Sequence, residues 1–322
     1  MILGTLRGGG VDGTLAVVSR DRQRFVLPSL GPRTMQEALD AWDVHEGHLE
    51  DTFVALDDVA RGIPVASATF SSPLPRAIQW VEGSCYLSHM ERIRKGRGES
   101  LPSQHQARPL VYQSGSDRHM DPEGTFALPD ESWELDLEAT VVAVMGALEV
   151  GASADEAVAG IRLVGMTNDL TYRRLLVEER RRGSGVYGSK PGRAYAPFLV
   201  SPKTLGPAWE DVLLRARMRC EINGELLGEP RADRDVSFDF RTVLRELTAQ
   251  RGIAPGTIVG TGTVSNVDST VGFACIAEKR GVEIERDGEA TTPFLRRGDS
   301  MLLEAVSDDG TSLFGRIFQE VV

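Results

Sequence analysis

Short hydrophobic runs separated by turn-forming residues recur along most of the chain. They predict strands near residues 13–18, 110–112, 140–145, 196–200, 217–222 and 301–306. Helical patterns are fewer, and they predict helices over residues 34–41, 153–160, 170–182 and 240–250. Two of these begin with a capping residue, Thr34 and Ser153, that is followed three positions later by glutamate. Strands with scattered helices favour an α+β fold over the regular alternation of a doubly wound sheet.

A proline-rich turn at residues 73–76 divides the chain into a small and a large predicted unit. Residues 1–75 have the pattern of a small N-terminal α/β domain, and residues 76–322 form a larger, strand-rich domain. The triple glycine at residues 8–10 lacks the Lys-Ser/Thr pair that follows a phosphate-binding loop. We therefore interpret it as a turn.

The overall charge narrows the class of partner. The chain has 322 residues, 41% of them hydrophobic, and a net charge of −11 with a pI near 5.1. An acidic surface is a poor match for nucleic acid or an anionic membrane, so we expect a small-molecule partner and neither of those two. With neither a signal peptide nor an apolar run long enough to span a bilayer, and with three widely spaced cysteines, we expect a cytoplasmic protein with reduced thiols.

Carboxylates beside apolar runs are the first candidates for chemistry. Asp136, Glu138 and Thr140 lie at spacing two, which places alternate side chains on one face of a strand. Asp169 follows the apolar run 161–167. Buried carboxylates need compensation, and a hard metal cation supplies it, so Glu138 and Asp169 are candidate metal ligands. In the alternative interpretation, Glu138 pairs with an arginine and Asp169 caps a helix.

Three further segments carry weaker signals. His89 could transfer a proton near neutral pH, or it could be structural. Lys190 lies beside a glycine-rich loop and could bind an anionic substrate, or it could be an exposed loop lysine. The small residues at 260–266 would let backbone amides approach a ligand closely. The charged, glycine-ended run 178–185 is either a solvated helix end or a lid.

Several motifs occur in an order that resembles the fumarylacetoacetate hydrolase superfamily over residues 76–322. The nearest likeness is to its 2-keto-3-deoxy-sugar-acid dehydratase branch. The motifs are WVEGS at 80–84, VYQSGSD at 111–117, LDLEATVVAVMG at 135–146, GTVSN at 262–266 and ACIAE at 274–278.

The resemblance implies a mixed β-roll, usually in a homodimer, that acts on a small 2-oxo acid or β-dicarbonyl compound. It also implies a divalent cation, Mg²⁺ most often, or Mn²⁺ or Ca²⁺. The implied metal ligands are Glu138 and Asp169, with Thr140 in the place of a second glutamate; the implied catalytic residues are His89, Lys190, Glu278 and Arg173; the implied substrate-binding residues are Ser116, Thr263, Tyr86 and Gln113.

Thr140 departs from the family pattern, because a neutral hydroxyl replaces a carboxylate ligand. Metal affinity follows ligand charge and number, so we expect metal binding to be weakened or absent. Asp136 lies one step to the wrong side of Glu138 to replace the ligand, and Glu82 is a further candidate. The expected activity is that of a lyase, such as a dehydratase, or a C–C bond hydrolase working through an enolate.

Two alternatives remain open. The first is a metal-free family member that cyclises, dehydrates or decarboxylates a β-keto intermediate in a biosynthetic pathway. The second, of another class, is a non-catalytic binding protein. Fold alone does not choose among these, because the chemistry resides in the site.

Overall fold

The computed structural model describes residues 1–58, 62–117 and 119–322 as a mixed α/β fold built on large sheets. The strands are β1 (Ile2–Leu6), β2 (Thr14–Val18), β3 (Arg24–Val26), β4 (Ile63–Pro64), β5 (Phe70–Ser71), β6 (Trp80–Gly83), β7 (Val111–Ser114), β8 (Glu123–Phe126), β9 (Leu135–Asp136), β10 (Ala139–Met145), β11 (Ile161–Tyr172), β12 (Gly192–Tyr195), β13 (Phe198–Val200), β14 (Trp209–Glu210), β15 (Leu213–Leu214), β16 (Arg217–Ile222), β17 (Glu225–Gly228), β18 (Ile258–Thr263), β19 (Ser300–Val306) and β20 (Ser312–Val321).

The helices are shorter and lie around these sheets. They are α1 (Met35–Asp40), α2 (Trp42–Asp58), α3 (Leu87–Lys95), α4 (Gln104–Ala107), α5 (Ala154–Ala159), α6 (Arg173–Arg182), α7 (Pro202–Leu205), α8 (Phe240–Thr248) and α9 (Ile276–Asp287). Single 3-10 turns cover Val65–Ser67, Glu131–Trp133, Gly206–Ala208 and Ser269–Val271. Among the described helices, none is both long and apolar enough to cross a membrane.

The largest sheet joins N-terminal strands to strands from the middle of the chain and to β18. Its order is β4-β3-β2-β1-β13-β11-β10-β18-β6-β7, with β5 on β1 and with β9 and β12 on β11. A second sheet has the order β17-β16-β19-β20-β8. The mixed α+β class is confirmed, as is a small N-terminal domain. The boundary at residues 75 and 76 stays a prediction.

The centre of the large sheet places polar residues from distant segments side by side. Strands β10 and β11 are antiparallel and pair Ala139 with Asn168. On its other edge, β10 pairs Thr140 with Thr263 of β18, which in turn runs parallel to β6. Strands with these partners are buried on both faces, so the polar groups they carry are removed from water.

The structure corrects two predictions about local elements. The helix predicted over 170–182 begins at Arg173, because the residues before it extend β11 and pair with β9. The segment 135–146 is not one strand, because Leu137 and Glu138 lie between β9 and β10. Asp136, Glu138 and Thr140 therefore do not share one strand face.

Other predictions hold at the level of single elements. Helix α5 begins with the capping box of Ser153 and Glu156, and α1 begins after Thr34. The three cysteines are free and buried. Helices α2, α3 and α9 were not predicted from the sequence.

Candidate active site

A cavity opens at the ends of β6, β18 and α6, and we call it the active-site cavity. Buried side chains line its inner end, and arginines that are partly exposed line its outer end. The lining residues that carry polar side chains are Glu82, Ser84, Cys85, Tyr86, His89, Arg94, Tyr112, Glu138, Arg173, Arg180, Lys190, Thr261 and Thr263.

The ammonium group of Lys190 links two buried carboxylates. Its Nζ atom lies 2.6 Å from Glu138 Oε2 and 2.6 Å from Asp169 Oδ2, and it donates to Thr171 Oγ1 at 2.8 Å. Burial alone would lower the pKa of Lys190, but the two carboxylates outweigh it and raise the pKa. Lys190 is therefore charged, and each of its three ammonium hydrogens has an acceptor.

Arg173 joins Glu138 to a second buried carboxylate. Arg173 Nη2 lies 2.7 Å from Glu138 Oε1 and 2.7 Å from Asp136 Oδ2. Asp136 also accepts from the backbone amides of Ile276 and Ala277 at the start of α9, where a negative charge is favoured. Asp136 thus binds the first residues of α9 and does not line the cavity.

His89 and Glu278 form a hydrogen-bonded pair between α3 and α9. The Nδ1 atom of His89 lies 2.7 Å from Glu278 Oε1. Nδ1 therefore donates a hydrogen bond to the carboxylate, and Nε2 is the ring nitrogen that can accept a proton from a substrate. Glu278 also accepts from Arg92 and Ser265. Burial raises the pKa of Glu278, but the hydrogen bond from His89 and the charges around it outweigh burial and lower the pKa. This carboxylate therefore stays ionised and orients the ring.

Close packing of two helices brings this pair together. A Cβ atom at Gly281 of α9 would lie 2.6 Å from the carbonyl oxygen of Arg92 on α3. Only glycine permits that approach without a shift of the backbone. Gly281 therefore sets the distance between the two helices that carry His89 and Glu278.

Three buried polar groups at the inner end lack partners. Glu82 Oε2, Thr140 Oγ1 and Thr263 Oγ1 make no hydrogen bond to any described residue. Burial raises the pKa of Glu82 well above its usual range, and the charges of Asp169 and Glu138 raise it further. This favours the protonated form of Glu82. Unpartnered groups of this kind are expected where a ligand or water completes the site.

The charges around Lys190 balance without a metal ion. Both oxygens of Glu138 lie within 2.7 Å of a cationic nitrogen. Both oxygens of Asp169 lie within 2.8 Å of one, since Arg193 Nε approaches Oδ1. With Glu82 protonated, the three cations are Lys190, Arg173 and Arg193. They are balanced by three carboxylates, namely Asp136, Glu138 and Asp169. A divalent cation between Glu138 and Asp169 would have to displace Lys190 and would raise the net charge of this cluster by one.

The described residues bring together one trio of metal-ligand type, His89, Cys275 and Glu278, within 4.8 Å of one another. Burial raises the pKa of the Cys275 thiol well above its usual range, so the thiol stays protonated. A neutral thiol is a weak ligand, and Glu278 is already occupied by hydrogen bonds. In this arrangement the oxygens of Glu138 and Asp169 are paired with Lys190, Arg173 and Arg193, and Glu278 is paired with His89 and Arg92, so a divalent cation would have to replace existing partners.

The cavity includes most of the side chains that the sequence suggested. His89, Arg173, Lys190, Glu138 and Thr263 all line it. Asp169 and Thr140 are buried directly behind, and Glu278 acts through His89.

Three suggested substrate contacts have other placements. The Tyr86 ring lines the cavity, but its hydroxyl donates to the carbonyl of Ala232 at 2.7 Å. Gln113 is exposed and lies outside the lining, and so does Ser116. Because side chains alternate along β7, Tyr112 takes the cavity position beside Gln113. The substrate-binding roles of Tyr86, Gln113 and Ser116 stay predictions.

Sequence reasoning missed Tyr112, Arg193, Arg94 and Arg180. Burial raises the pKa of Tyr112, so its hydroxyl is protonated and can donate to a ligand. Arg193 lies over the ring of Trp80 at 4.8 Å and donates to the carbonyl of Gly115. No spacing in the sequence marks these residues, because each reaches the site from a different strand or helix.

Comparison with known families gives matches over nearly the whole chain. Residues 79–322 match the model of the fumarylacetoacetate hydrolase C-terminal domain, and residues 1–76 match the model of fumarylacetoacetase N-terminal domain 2. A comparison with curated proteins found no match.

Solved structures share the fold at low sequence identity. Maleylpyruvate hydrolase from Sphingobium sp. SYK-6 is 14% identical, with 100% of this chain and 99% of that chain covered and a TM-score of 0.66. The same enzyme in complex with a manganese(II) ion and pyruvate gives 15% identity, the same coverage and a TM-score of 0.66. The 5-carboxymethyl-2-hydroxymuconate delta-isomerase from Mycobacterium smegmatis gives 17% identity, coverages of 100% and 98% and a TM-score of 0.62.

Proposed function

The chain belongs to the fumarylacetoacetate hydrolase family, and we propose that it is an enzyme that acts through a stabilised enolate of a small 2-oxo acid or β-dicarbonyl compound. The observation that carries this proposal is the His89–Glu278 pair beside a cavity lined by Lys190 and Arg173. A base next to fixed cations is what enolate formation requires. The solved relative that holds pyruvate, a 2-oxo acid, is consistent with this substrate class.

His89 acts as the base in this proposal. Its Nε2 atom takes a proton from the carbon beside the substrate carbonyl, and the electron pair of that C–H bond forms the enolate. Glu278 stabilises the imidazolium that results, since it already accepts the Nδ1 proton at 2.7 Å. Lys190 and Arg173 stabilise the negative enolate oxygen by their charge.

This enolate then leads to a lyase or dehydratase step. In dehydration the electron pair of the enolate expels a β-hydroxyl group, which takes the proton back from the His89 imidazolium and leaves as water. In C–C bond hydrolysis His89 instead takes a proton from water, whose oxygen adds to the second carbonyl of a β-dicarbonyl substrate; the C–C bond then breaks, and its electron pair leaves as the enolate. Arg94 and Arg180 at the outer end of the cavity favour an anionic substrate. We also propose a homodimer, as the family resemblance implies.

We infer that this reaction needs no resident metal ion. The support is the charge balance around Lys190, whose ammonium group lies between Glu138 and Asp169 at 2.6 Å from each. The Lys190 ammonium group occupies the position between these two carboxylates that a divalent cation would need. Thr140 also supports this inference, because it places a neutral hydroxyl where the family pattern has an anionic ligand.

The test is deuterium exchange at C3 of pyruvate and of 2-oxobutyrate in D₂O, followed by proton NMR with a chelator present. We expect exchange above the buffer rate in the wild type. Replacing the base should lower that rate by about 100-fold or more in His89→Asn. His105→Asn is the matched control, because His105 lies on α4 outside the cavity lining.

Absence of exchange in the wild type would contradict enolate chemistry on these acids and would favour a binding protein. Exchange that disappears with the chelator and returns with Mg²⁺ or Mn²⁺ would contradict metal independence alone. Equal rates in His89→Asn and wild type would remove His89 from the role of base.

A further inference from the structure

The carboxylate of Glu179 on α6 is held by the loop that leads to Lys190. Glu179 Oε1 accepts from the Gly188 amide at 2.7 Å, and Oε2 accepts from the amides of Tyr187 and Ser189 at 3.2 Å each. The Ser189 hydroxyl donates to the same oxygen at 2.5 Å. One side chain thus satisfies three consecutive backbone amides directly before Lys190.

These bonds matter because the loop has few other attachments. Gly183 ends α6 in the left-handed conformation, and Gly185 also has a positive φ, so the turn at 183–185 has little intrinsic stiffness. The Tyr187 side chain is 89% exposed, so its burial contributes little to holding the loop. Apart from the Glu179 side chain, the loop is attached where the Ser184 amide and hydroxyl donate to the Glu179 carbonyl and where the Tyr172 amide donates to the carbonyl of Ser189.

The position of Lys190 depends on that loop. Its Nζ atom must reach Glu138, Asp169 and Thr171 at once, all within 2.8 Å. A small displacement of the backbone at residues 188–189 would move the ammonium group out of range of at least one acceptor. Burial raises the pKa of Glu179, but the hydrogen bonds from Ser189 and the backbone amides outweigh it and lower the pKa. The ionised form therefore makes these bonds.

We propose that Glu179 is a positioning residue for the active site: it latches the loop 183–189 to α6 and thereby places Lys190 between its two carboxylates. It does not touch substrate in this assignment. The inference rests on the proposed role of Lys190 only for its effect on catalysis, and the latch itself can be tested without any substrate.

The test compares Glu179→Gln with Glu178→Gln, the adjacent glutamate on the same helix. Among the described residues Glu178 pairs with Arg174 and Arg182, at 3.8 and 4.0 Å and on the exposed surface, so its loss should have little effect. Glutamine at 179 keeps the shape but loses the charge and one acceptor oxygen. Charge-assisted bonds are the stronger ones, so the loop should open about tenfold more often.

Two readouts report the two halves of the proposal. The first is the trypsin cleavage rate after residues 180–182, which directly precede the loop; we expect it to rise about tenfold in Glu179→Gln and to stay at the wild-type value in Glu178→Gln. The second is the NMR signal of the Lys190 ammonium group in ¹⁵N-lysine-labelled protein. The chain has only four lysines, so Lys190→Met assigns the signal.

We expect the ammonium signal to be protected in wild type and in Glu178→Gln, and to shift or broaden in Glu179→Gln. Faster cleavage with an unchanged Lys190 signal would overturn the positioning role and leave Glu179 as a loop anchor only. Unchanged cleavage would overturn the latch itself. If deuterium exchange is absent from the wild type while both readouts change, the proposed function fails and the latch stands.

Discussion

Replacing Lys190 with methionine tests whether one ammonium group holds the centre of the site together. Methionine keeps an unbranched chain of similar length but removes the charge and all three hydrogen bonds. Lys190 Nζ lies 2.6 Å from Glu138 and Asp169, and the side chains of all three residues are at least 93% buried. The variant therefore leaves two buried carboxylates without their shared partner.

The expected loss of stability follows from the geometry. Removing one member of a buried ion pair costs about 3–5 kcal/mol, because the other member stays buried and uncompensated. Arg173 and Arg193 remain within 2.8 Å of the two carboxylates, so the lower end of that range applies. We expect a loss of about 3 kcal/mol in the free energy of unfolding at pH 7.5.

The loss should depend on pH in a defined direction. In the wild type the surrounding cations outweigh burial and hold the pKa of Glu138 below its usual value, so its contribution to stability is present above the unfolded pKa and fades at lower pH. Without Lys190 that pKa rises toward the unfolded value or above it. The difference between wild type and variant should therefore be largest at pH 7.5 and smaller at pH 4.5.

The assay is urea unfolding at both pH values, with Lys203→Met as the control. Lys203 is 81% exposed and lies 3.4 Å from Glu50, so its loss should cost less than about 1 kcal/mol. A Lys190→Met variant as stable as the control would refute the view that this ammonium group compensates the buried carboxylates. A loss of equal size at both pH values would assign the effect to packing instead of charge.

Two other variants test the ligand set and a buried histidine. Thr140→Glu restores the missing carboxylate, and we expect calorimetry to show Mg²⁺ and Mn²⁺ binding at least about tenfold tighter than in chelator-stripped wild type; equally tight binding in the wild type would contradict the charge argument. His119 donates from Nδ1 to the Leu74 carbonyl at 2.7 Å, and its Nε2 has no partner among the described residues. Burial lowers the pKa of His119 to about 4. Its contribution is present above the unfolded pKa near 6.5 and is lost as the pH falls toward 4, so wild type should lose about 3 kcal/mol more than His119→Phe over that range. Parallel stability profiles for the two proteins would exclude this role of His119.

Local sequence patterns were sufficient for several elements, and the family resemblance supplied the candidate reactive groups. The capping box at Ser153 and Glu156 uses contacts three residues apart, so the sequence alone predicts where α5 begins. The motifs around His89, Glu138, Lys190 and Glu278 indicated the residue types of an enolate site. The sequence leaves open whether a metal ion or an arginine compensates Glu138, because spacing along one strand says nothing about which cation lies opposite; in the structure Arg173 and Lys190 both do so.

The tertiary structure decided what each charged group contacts. Glu138 and Asp169 come together because β10 and β11 are antiparallel, and Lys190 reaches both from a loop that the sequence shows only as a glycine-rich run. Asp136 has the same spacing from Glu138 as Thr140 does, yet it is bound at the start of α9. The sequence determines which residues can carry charge or a proton; the register of the sheet and the packing of the helices determine their partners, because those contacts join residues that are far apart in the chain.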